Sequence, residues 1–399
     1  MKTLHALPAL ALCLSSTFAT AAPAATPAAT PAAGDARITV TVTNPLATAR
    51  ARETVVVAVA DAAKLVPGFD PRKSVLTNAA GKEVLSQLVD SNGDDVPDQI
   101  VFQTDLRAKE DKIFRLKPGE RRLAARGDYK AYGRFVRERH DDFAWENDRV
   151  AHRVYGPDLE TCATEPLTSS GVDVWVKRVS KLVVNDWYMT DDYHHDSGEG
   201  ADFYSVGKSR GLGGLGLWSG GRLFVSKNFI RSRVLADGPI RLIFELSYAP
   251  WDAGGEHVAE SKRVTLDAGS QFNHFESTFT GQRGSLAAGI GIAKHPGSEV
   301  TVSWPGGIMR AWEPLDGGKA GDLGTAVVLP TGAKIEEHHN DLDYLIVTQV
   351  PDGGKLSYYA GSAWTRSGRI RDQAAWTNEV QAFARRLAEP VKITLAVEQ

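Results

Sequence analysis

The chain has 399 residues, a formal net charge of −3 at pH 7 and two cysteines, Cys13 and Cys162. A charge this close to neutral, without a long basic run, argues against nucleic acid as a partner. Cys13 lies in a predicted leader, so the rest of the chain can form neither an intramolecular disulfide nor a cysteine-rich metal site. Its stability must therefore come from a large core.

The first residues have the pattern of an export signal. Lys2 supplies a positive charge, residues 4–18 are mostly apolar but too short to span a bilayer, and residues 19–21 match an A-x-A cleavage site. We therefore predict a cleaved signal peptide over residues 1–21, an Ala/Pro/Thr-rich linker over 22–34, and a periplasmic or secreted protein. No later stretch approaches 18 apolar residues, so we expect no membrane insertion of the mature protein.

Alternation of apolar and polar residues dominates from residue 35 onward and predicts strands, for example over 37–44, 54–60, 172–179, 272–279 and 391–397. One helix is clear near the end, where apolar residues recur at helical spacing before Pro390. They are Trp376, Val380, Phe383 and Leu387. A polar, aperiodic stretch near residues 117–130 predicts a domain boundary. The fold class is mostly β: a small β-sandwich over 35–125 and a large antiparallel double sheet over 126–399, with one C-terminal helix.

The segment DSNGDDVPDQIVF places oxygen ligands at short spacing before a strand, namely Asp90, Asn92, Asp94 and Asp98. Gly93 eases the turn between them. Ca²⁺ takes six to eight oxygens from such loops, so these residues form a possible structural Ca²⁺ site. The alternative is an Asp/Asn/Gly turn that binds no ion.

The segment from His140 to Pro157 concentrates charged and aromatic residues. In a strand here, Arg153 and Tyr155 would share one face and His152 the other. Arg can bind a carboxylate bidentately and Tyr can transfer a proton, which suits an anionic sugar. We take Trp145, Glu146, His152 and Arg153 as candidates for substrate binding and Tyr155 for catalysis. The alternatives are a salt-bridged exposed strand and, for Trp145, a place in the core.

The segment from Asn185 to Trp218 is long, aperiodic and rich in aromatic residues, which is typical of a functional loop rather than of disorder. His194 and Glu199 are its candidates for catalysis. Its candidates for substrate binding are Asp196, Asp202, Tyr204, Lys208 and Arg210. The glycines of GLGGLG lie in no βαβ unit, so we expect no nucleotide cofactor. A zinc site that uses His194 or His195 with Glu199, and a packed structural loop, are the alternatives.

In the predicted strand FNHFESTF, His274 and Glu276 lie two residues apart and therefore on one face. Such a pair on the concave face of a double sheet could act as acid and base. A polar face turned toward water explains the pair equally well.

Three segments are similar to a known bacterial family: DDFAWENDRVAHRVYGP, NDWYMTDDYHHDSGEGADFYSVGKSRGLGG and the tail from Tyr358 to Ile393. They resemble domain of unknown function 4861. The resemblance implies an exported protein with a galactose-mutarotase-like β-supersandwich, often encoded beside genes that degrade pectin or other uronic-acid polysaccharides. In the family the middle loop reads closer to YHTDHGEG, so His194, Asp196 and Glu199 match it while His195 and Ser197 depart from it.

Together, these patterns favour an exported enzyme that acts on uronic-acid-containing oligosaccharides by proton abstraction, as a lyase, dehydratase or epimerase. Arg153, Arg210 or Lys208 would supply the cation, and His194, His274 and Tyr155 the base and acid. The first alternative is a glycoside hydrolase with two carboxylates drawn from Glu146, Glu199, Asp202 and Glu276. The second is a non-catalytic glycan-binding protein. The sugar, its linkage and the oligomeric state stay open.

Overall fold

The computed structural model describes residues 37–303 and 306–398. The predicted signal peptide, 1–21, and the linker, 22–34, lie outside the described residues. Within the described residues the protein is mostly β, with antiparallel sheets and a C-terminal helix, which confirms the predicted fold class. No helix in this part of the chain is long and apolar enough to cross a membrane.

The strands of the described residues are β1 Ile38–Thr43, β2 Arg50–Ala58, β3 Ser74–Asn78, β4 Ser86–Val89, β5 Gln99–Leu106, β6 Asp111–Pro118, β7 Ala131–Val136, β8 Asp142–Asn147, β9 Ala151–Val154, β10 Asp173–Lys177, β11 Gly200–Ala201, β12 Leu212–Ser219, β13 Arg222–Phe224, β14 Phe229–Ala236, β15 Arg241–Asp252, β16 His257–Asp267, β17 Phe272–Thr280, β18 Ala287–Ala293, β19 Glu299–Ser303, β20 Ile308–Pro314, β21 Asp322–Val328, β22 Ile335–His339, β23 Asp343–Gln349, β24 Lys355–Trp364 and β25 Lys392–Val397. The α-helices are α1 Val59–Leu65, α2 Val184–Thr190 and α3 Gln373–Ala388.

The first part of the chain forms a small sandwich of two antiparallel sheets, ordered β25-β1-β6-β3 and β2-β5-β4. Alternate residues of β1 point inward because side chains switch faces at every residue of a strand. Val40 and Val42 are fully buried, and the rings of Phe102 and Phe114 meet edge to face with centroids 4.7 Å apart. This interior is a separate core from that of the rest of the chain.

The last strand returns to this small sandwich. β25 pairs antiparallel with β1, and Ile38 lies opposite Val397. The boundary predicted near residue 125 placed residues 392–397 in the large domain, and here the structure corrects it. The apolar side chains of Ile393 and Leu395 cover the core of the small sandwich, which the β1 edge would otherwise leave open.

The rest of the chain is built on an eight-stranded antiparallel sheet, ordered β14-β15-β16-β17-β24-β21-β20-β19. Two five-stranded sheets pack against one face of the eight-stranded sheet, and the three sheets together enclose one large core. The strand orders of the two smaller sheets are β13-β12-β18-β23-β22 and β11-β10-β9-β8-β7. The second of these, which we call the β7–β11 sheet, is also covered on its outer side by α2 and the segment after it. Its strands β8, β9 and β10 are consequently buried along their whole length.

Helix α3 covers the other face of the eight-stranded sheet. The Asp372 side chain accepts a hydrogen bond from the Ala375 amide and so caps the first turn, as N-cap residues do. The ring of Phe272 stacks on Trp376 and Phe383, with centroid distances of 5.6 and 4.0 Å. The apolar residues that the sequence predicted at helical spacing are therefore the ones that pack against the sheet.

The small sandwich is attached to the eight-stranded sheet through Gln87. Its amide nitrogen donates to the carbonyls of Asp237 and Arg241, at 3.2 and 2.8 Å. Its amide oxygen accepts from the backbone N–H groups of Ile240 and Arg241, at 3.0 and 2.8 Å. The Gln87 side chain thus makes four hydrogen bonds between the small sandwich and the rest of the chain. A small apolar cluster that contains Val101 lies beside it.

Candidate active site

A cavity of about 350 Å³ opens where β9 and β10 meet the segment that follows α2. Its volume falls within the range of about 300–1,000 Å³ that is common for small-ligand pockets. We call it the Arg153 cavity. Its charged and phenolic lining residues are Arg139, Arg153, Tyr155, Glu165, Asp173, His194, Asp202 and Tyr204. The structure therefore brings together five residues that the sequence singled out in two separate segments.

Arg153 lies at the centre of a buried ionic network beneath this cavity. Its guanidinium donates to Asp173 at 2.8 Å and to Asp202 at 2.9 Å, and it lies 3.7 Å from Asp142. The hydroxyl of Tyr155 donates to Asp173 at 3.1 Å. As expected from strand periodicity, Arg153 faces away from His152. Its position is fixed by ion pairs, because a buried guanidinium needs acceptors for its N–H groups.

Aromatic rings surround the same guanidinium. Its carbon lies 5.4 Å from the ring centroid of Tyr155, 5.8 Å from that of Trp175 and 5.3 Å from that of Tyr193. The Tyr193 hydroxyl accepts from Arg139 at 2.6 Å and from Arg153 at 3.3 Å. These contacts tie the start of the 193–210 segment to the β7–β11 sheet, so the residues that follow are held in place.

Three carboxyl groups surround the single guanidinium of Arg153, and the pKa values of two of them are raised. Burial raises the pKa of Asp202 well above its ordinary value, and Asp173 raises it further, although Arg153 opposes both. Burial likewise raises the pKa of Asp142 to about 7, against the opposing effect of Arg153. The site can therefore hold a protonated carboxylic acid near neutral pH, which is a common requirement of acid catalysis.

His194 lies at the mouth of the Arg153 cavity with 63% of its side chain exposed. Its Nδ1 lies 3.2 Å from the Asp202 carbonyl and 3.7 Å from the Asp202 carboxylate. Its Nε2 has no hydrogen-bond partner among the described residues. An imidazole that is anchored through Nδ1 and free at Nε2 has the arrangement of a general base or acid.

Tyr204 also lines this cavity, and its ring is buried beside His295, with centroids 4.8 Å apart. Its hydroxyl is buried without a hydrogen-bond partner in the part of the chain that the structure describes. An unpaired buried hydroxyl costs about 1–3 kcal/mol.

Two predicted residues of the same segment lie outside the cavity and organise its loop. Asp196 accepts from the amides of Gly198 and Gly200, at 2.9 and 3.1 Å, and contacts Arg178. Gly200 has φ +127°, and a Cβ there would lie 1.9 Å from a backbone carbonyl oxygen. Glu199 pairs with Lys181 at 2.7 Å and therefore points away from His194.

Trp145 and His152 lie in the core instead of in a binding surface. Both are fully buried, and each contacts Asn273, through Trp145 Nε1 at 2.8 Å and His152 Nε2 at 3.0 Å. Burial lowers the pKa of His152 to about 4, so its ring is neutral and its Nδ1 donates to the Asp173 carbonyl. Their polar atoms are used within the interior, which corrects the expectation that they bind substrate.

Glu146 is also buried, in an ion pair with Lys177 at 2.5 Å in which both side chains are 0% exposed. Its carboxylate also accepts from the amides of Val183 and Val184, at 2.8 and 2.7 Å. These amides are free donors at the start of α2, where helices leave N–H groups unpaired. The structure thus assigns Glu146 a structural role, contrary to its expected contact with substrate.

Arg210 and Lys208 do not line the Arg153 cavity. The Arg210 guanidinium is buried and donates to Ser170 at 3.0 Å and to the Lys208 carbonyl at 3.2 Å. Lys208 is exposed. Neither is placed to neutralise an anionic ligand in this cavity. The arginines that line it are Arg139 and Arg153.

His274 and Glu276 share one face of β17, as predicted, but it is the face opposite the large core. His274 donates to or accepts from Ser357 Oγ at 2.8 Å and stacks on Tyr359, while Glu276 pairs with Lys355 at 2.8 Å. Burial lowers the pKa of His274, although Glu276 opposes this. The pair is separate from the Arg153 cavity, which corrects the expectation that both residues join His194.

The Asp90 loop is folded around its own carboxylates. Asp90 accepts from the amides of Gly93 and Asp95, both at 2.6 Å, and Asp98 accepts from the Ser91 hydroxyl at 2.6 Å. Asn92 and Asp94 bond each other at 3.1 Å. Across residues 37–303 and 306–398, no group of three or more His, Cys, Asp or Glu side chains is placed to hold a metal ion. The Ca²⁺ site therefore stays a prediction.

Four residues of the site were not predicted from the sequence: Arg139, Asp142, Glu165 and Asp173. Of these residues, Asp173 was the easiest to predict from the sequence, because it is a lone carboxylate in the otherwise apolar strand VDVWV. A charge within a buried strand needs a partner, and Asp173 lies directly opposite Arg153 in the pairing of β9 with β10. Asp142 and Arg139 carried no comparable signal.

The fold and the site define a mostly β protein in which a small sandwich precedes a larger one that carries a polar cavity. The chain belongs to the family described as Domain of unknown function (DUF4861), whose model matches residues 42–393. This confirms the resemblance found in the sequence. Uncharacterized protein P7 of Formosa agariphila is 34% identical over 373 residues, which make up 89% of this chain and 93% of that protein.

Among solved structures, the chain matches an alpha-mannosidase from Enterococcus faecalis V583 with a TM-score of 0.49 and 12% identity, which is too low to support a conclusion. A protein in the Glycosyl Hydrolase Family 38 from Enterococcus faecalis gives a TM-score of 0.50 and 12% identity. Each match covers 91% of this chain but 46% and 47% of the respective structure. The chain thus spans about half the length of these structures, and at this identity the likeness concerns the fold alone.

Proposed function

We propose that this protein is an exported carbohydrate-active enzyme that abstracts a proton from a uronic-acid-containing oligosaccharide, in the Arg153 cavity. The observation that carries the proposal is His194, whose Nδ1 is anchored at Asp202 while Nε2 is free at the cavity mouth. The fold shared with a Glycosyl Hydrolase Family 38 protein is compatible with a saccharide substrate but does not identify a reaction.

The chemistry requires a base, a cation and an acid. The proton on the carbon next to a uronate carboxylate becomes removable when a cation stabilises the charge that develops on that carboxylate. Arg139 is the accessible cation, because its guanidinium reaches the cavity and pairs only with the exposed Glu165, at 3.2 Å, and with Tyr193. Arg153 adds positive charge from beneath, although Asp173 and Asp202 offset most of it.

In this mechanism His194 Nε2 takes the proton, and the electron pair of the broken C–H bond forms a C=C bond as the β-oxygen leaves. The leaving oxygen needs a proton, which water supplies at the open mouth of the cavity, where the His194 side chain is 63% exposed. Elimination results when the oxygen departs, and epimerisation when the carbon is instead protonated on its other face. Tyr155 positions Asp173 through its hydrogen bond and has no free hydroxyl proton for the substrate.

A second candidate, glycoside hydrolysis, rests on two of the carboxyl groups that line the same cavity, those of Asp173 and Asp202. The raised pKa of Asp202 would suit a general acid, with Asp173 as the second carboxylate. Glu199 and Glu276 lie outside this cavity, so they no longer belong to the hydrolase hypothesis.

The test is incubation with a panel of uronate oligosaccharides while absorbance in the near ultraviolet, reducing ends and product mass are followed. Elimination raises the absorbance, whereas hydrolysis adds reducing ends alone. We expect His194→Gln to lower turnover by about 10² or more, as loss of a general base does. His195→Gln is the matched control, because its side chain is an exposed neighbour outside the cavity.

Equal activity of His194→Gln and wild type on a turned-over substrate would remove His194 from the mechanism. A product with new reducing ends, no new absorbance and a strong effect of Asp202→Asn would replace proton abstraction with hydrolysis. Binding of the oligosaccharides without any product would instead make the protein a glycan-binding module.

A further inference from the structure

A second cavity, of about 570 Å³, lies between β2 of the small sandwich, the outer face of the eight-stranded sheet and α3. None of its lining residues lines the Arg153 cavity. Its walls carry the arginines 52, 149, 241 and 386 and, on one side, the rings of Tyr359 and Phe383. We call it the junction cavity.

Most charges of the junction cavity are paired. Arg241 pairs with Asp267 at 2.7 Å, and Arg386 pairs with Glu379 at 3.1 Å. The remaining acid of the lining, Glu53, is bound by Arg50 at 2.8 Å. Every carboxylate of the lining therefore already has an arginine partner. No unpaired carboxylate of the lining remains to neutralise another arginine.

Arg149 is the exception. Its guanidinium makes no ion pair or hydrogen bond within the described residues, and its Nε is buried without a partner. The adjacent Asp148 makes no hydrogen bond to this guanidinium; its carboxylate oxygens accept from the Gly269 amide at 2.6 Å and from Arg52 at 2.7 Å. Burial lowers the pKa of Arg149, and the nearby Arg369 and Arg52 lower it further.

Arg369 adds to this excess of positive charge. Its guanidinium donates only to neutral acceptors, the Asp148 carbonyl at 3.4 Å and the Ser180 hydroxyl at 3.3 Å. Arg52 pairs with the Asp148 carboxylate, whereas Arg149 and Arg369, which lies beside the cavity and not in its lining, make no ion pair among the described residues. A planar guanidinium with free N–H groups binds carboxylate and sulfate oxygens bidentately.

We propose that the junction cavity binds an oxyanion, a carboxylate or sulfate group, on the guanidinium of Arg149. The backbone at Arg149 is fixed because the Asn147 side chain accepts from its amide at 2.8 Å. The oxyanion can be a free anion or the acidic group of a saccharide, whose ring would then pack against the aromatic wall. The site is independent of the proposed reaction in the Arg153 cavity.

The experiment measures binding by calorimetry and thermal shift with three probes: inorganic sulfate, D-galacturonate and uncharged D-galactose. Wild type, Arg149→Met, Arg149→Lys and Arg231→Met are compared. Arg231 is the matched control, since it is an exposed arginine of the edge strand β14 without an ion pair among the described residues. Arg149→Met removes an unpaired buried donor, so we expect the protein to stay folded.

We expect Arg149→Met to raise the Kd for the charged probes by about tenfold or more, the loss that follows removal of a charge-assisted bidentate contact. Arg149→Lys should recover part of the affinity, and Arg231→Met should behave as wild type. Binding of both charged probes supports a free oxyanion as sufficient ligand, whereas binding of D-galacturonate alone supports an acidic saccharide. The proposal is overturned by an absence of charged-probe binding, by unchanged affinity in Arg149→Met or by equal losses in Arg149→Met and Arg231→Met.

Discussion

The buried pair of Glu146 and Lys177 gives a sharp test of whether the middle of the β7–β11 sheet is structural. Glu146→Gln keeps the volume of the side chain but removes its charge. Lys177 then keeps only neutral acceptors, the Asn147 carbonyl at 2.8 Å and the amide oxygen of the introduced glutamine, in a site where both native side chains are 0% exposed. Breaking a buried ion pair by removal of one partner costs about 3–5 kcal/mol, and we expect this decrease in the free energy of unfolding.

The double variant Glu146→Gln/Lys177→Met adds a second constraint. It carries no buried charge, and the amide oxygen of the introduced glutamine can still accept from the start of α2. We therefore expect it to lose only about 1–2 kcal/mol, less than either single variant, because the two costs are coupled. Urea unfolding followed by tryptophan fluorescence measures all three variants.

The exposed pair of Lys181 and Asp186 is the matched control, with a separation of 3.3 Å and side chains 50% and 62% exposed. Asp186→Asn should change stability by no more than about 0.5 kcal/mol, since surface pairs contribute little. If Glu146→Gln unfolds like wild type but loses affinity for saccharides, Glu146 is a binding residue and the structural reasoning is wrong.

Three further predictions concern the remainder of the molecule. Because burial raises the pKa of Asp142 from 3.8 to about 7, the folded state keeps a proton that the unfolded state releases, so the free energy of unfolding should fall as pH rises from about 4 to about 7. Asp142→Asn should remove that slope in a pH series of urea titrations, and an unchanged slope would assign it to another group. Calcium at millimolar concentration should raise the melting temperature by a few degrees at most, from a linkage gain of about 0.4–1.4 kcal/mol at the Asp90 loop, and an Asp90→Asn variant with the same shift would exclude that site. Deletion of residues 391–399 should destabilise the small sandwich by about 2–4 kcal/mol through loss of the apolar cover from Ile393 and Leu395, and limited proteolysis that cleaves the large domain first would contradict this.

The sequence predicted those parts of the fold that depend on local periodicity. Strands β1 and β17 and helix α3 lie where alternation and helical spacing placed them. The opposed faces of His152 and Arg153 also followed from a period of two residues. These features depend only on which neighbours share a face, and the residues of one segment contain that information.

Periodicity does not say what covers a face. His274 and Glu276 share a side of β17, but only the packing of the other sheets decides that the opposite side is the core. The burial of Glu146 was hard to predict for the same reason. Strand β8 packs on the large core on one side and is covered on the other side by a third layer that includes α2. A charged residue in such a strand is expected to be exposed until its distant partner, Lys177, is known.

The site was partly predictable for a related reason. The 193–210 segment showed a cluster of proton-transfer residues, and His194, Asp202 and Tyr204 do line one cavity. Their separation from Glu199 results from the turn that Asp196 and Gly200 form, which spacing alone does not reveal. Arg139 and Asp142 join the site through contacts across the β7–β11 sheet and not through any local motif.

The pairing of β25 with β1 constrains the order in which the protein can fold. These strands are about 350 residues apart, so the sheet β25-β1-β6-β3 lacks its edge strand until residues 392–397 have been synthesised. Until then the N–H and C=O groups along one side of β1 are open to pairing with other chains, a known route to aggregation. Closing such a long loop is slow, because contacts between distant residues must overcome a large loss of chain entropy. The small sandwich therefore cannot complete its native sheet before residues 392–397 are available to pair with β1.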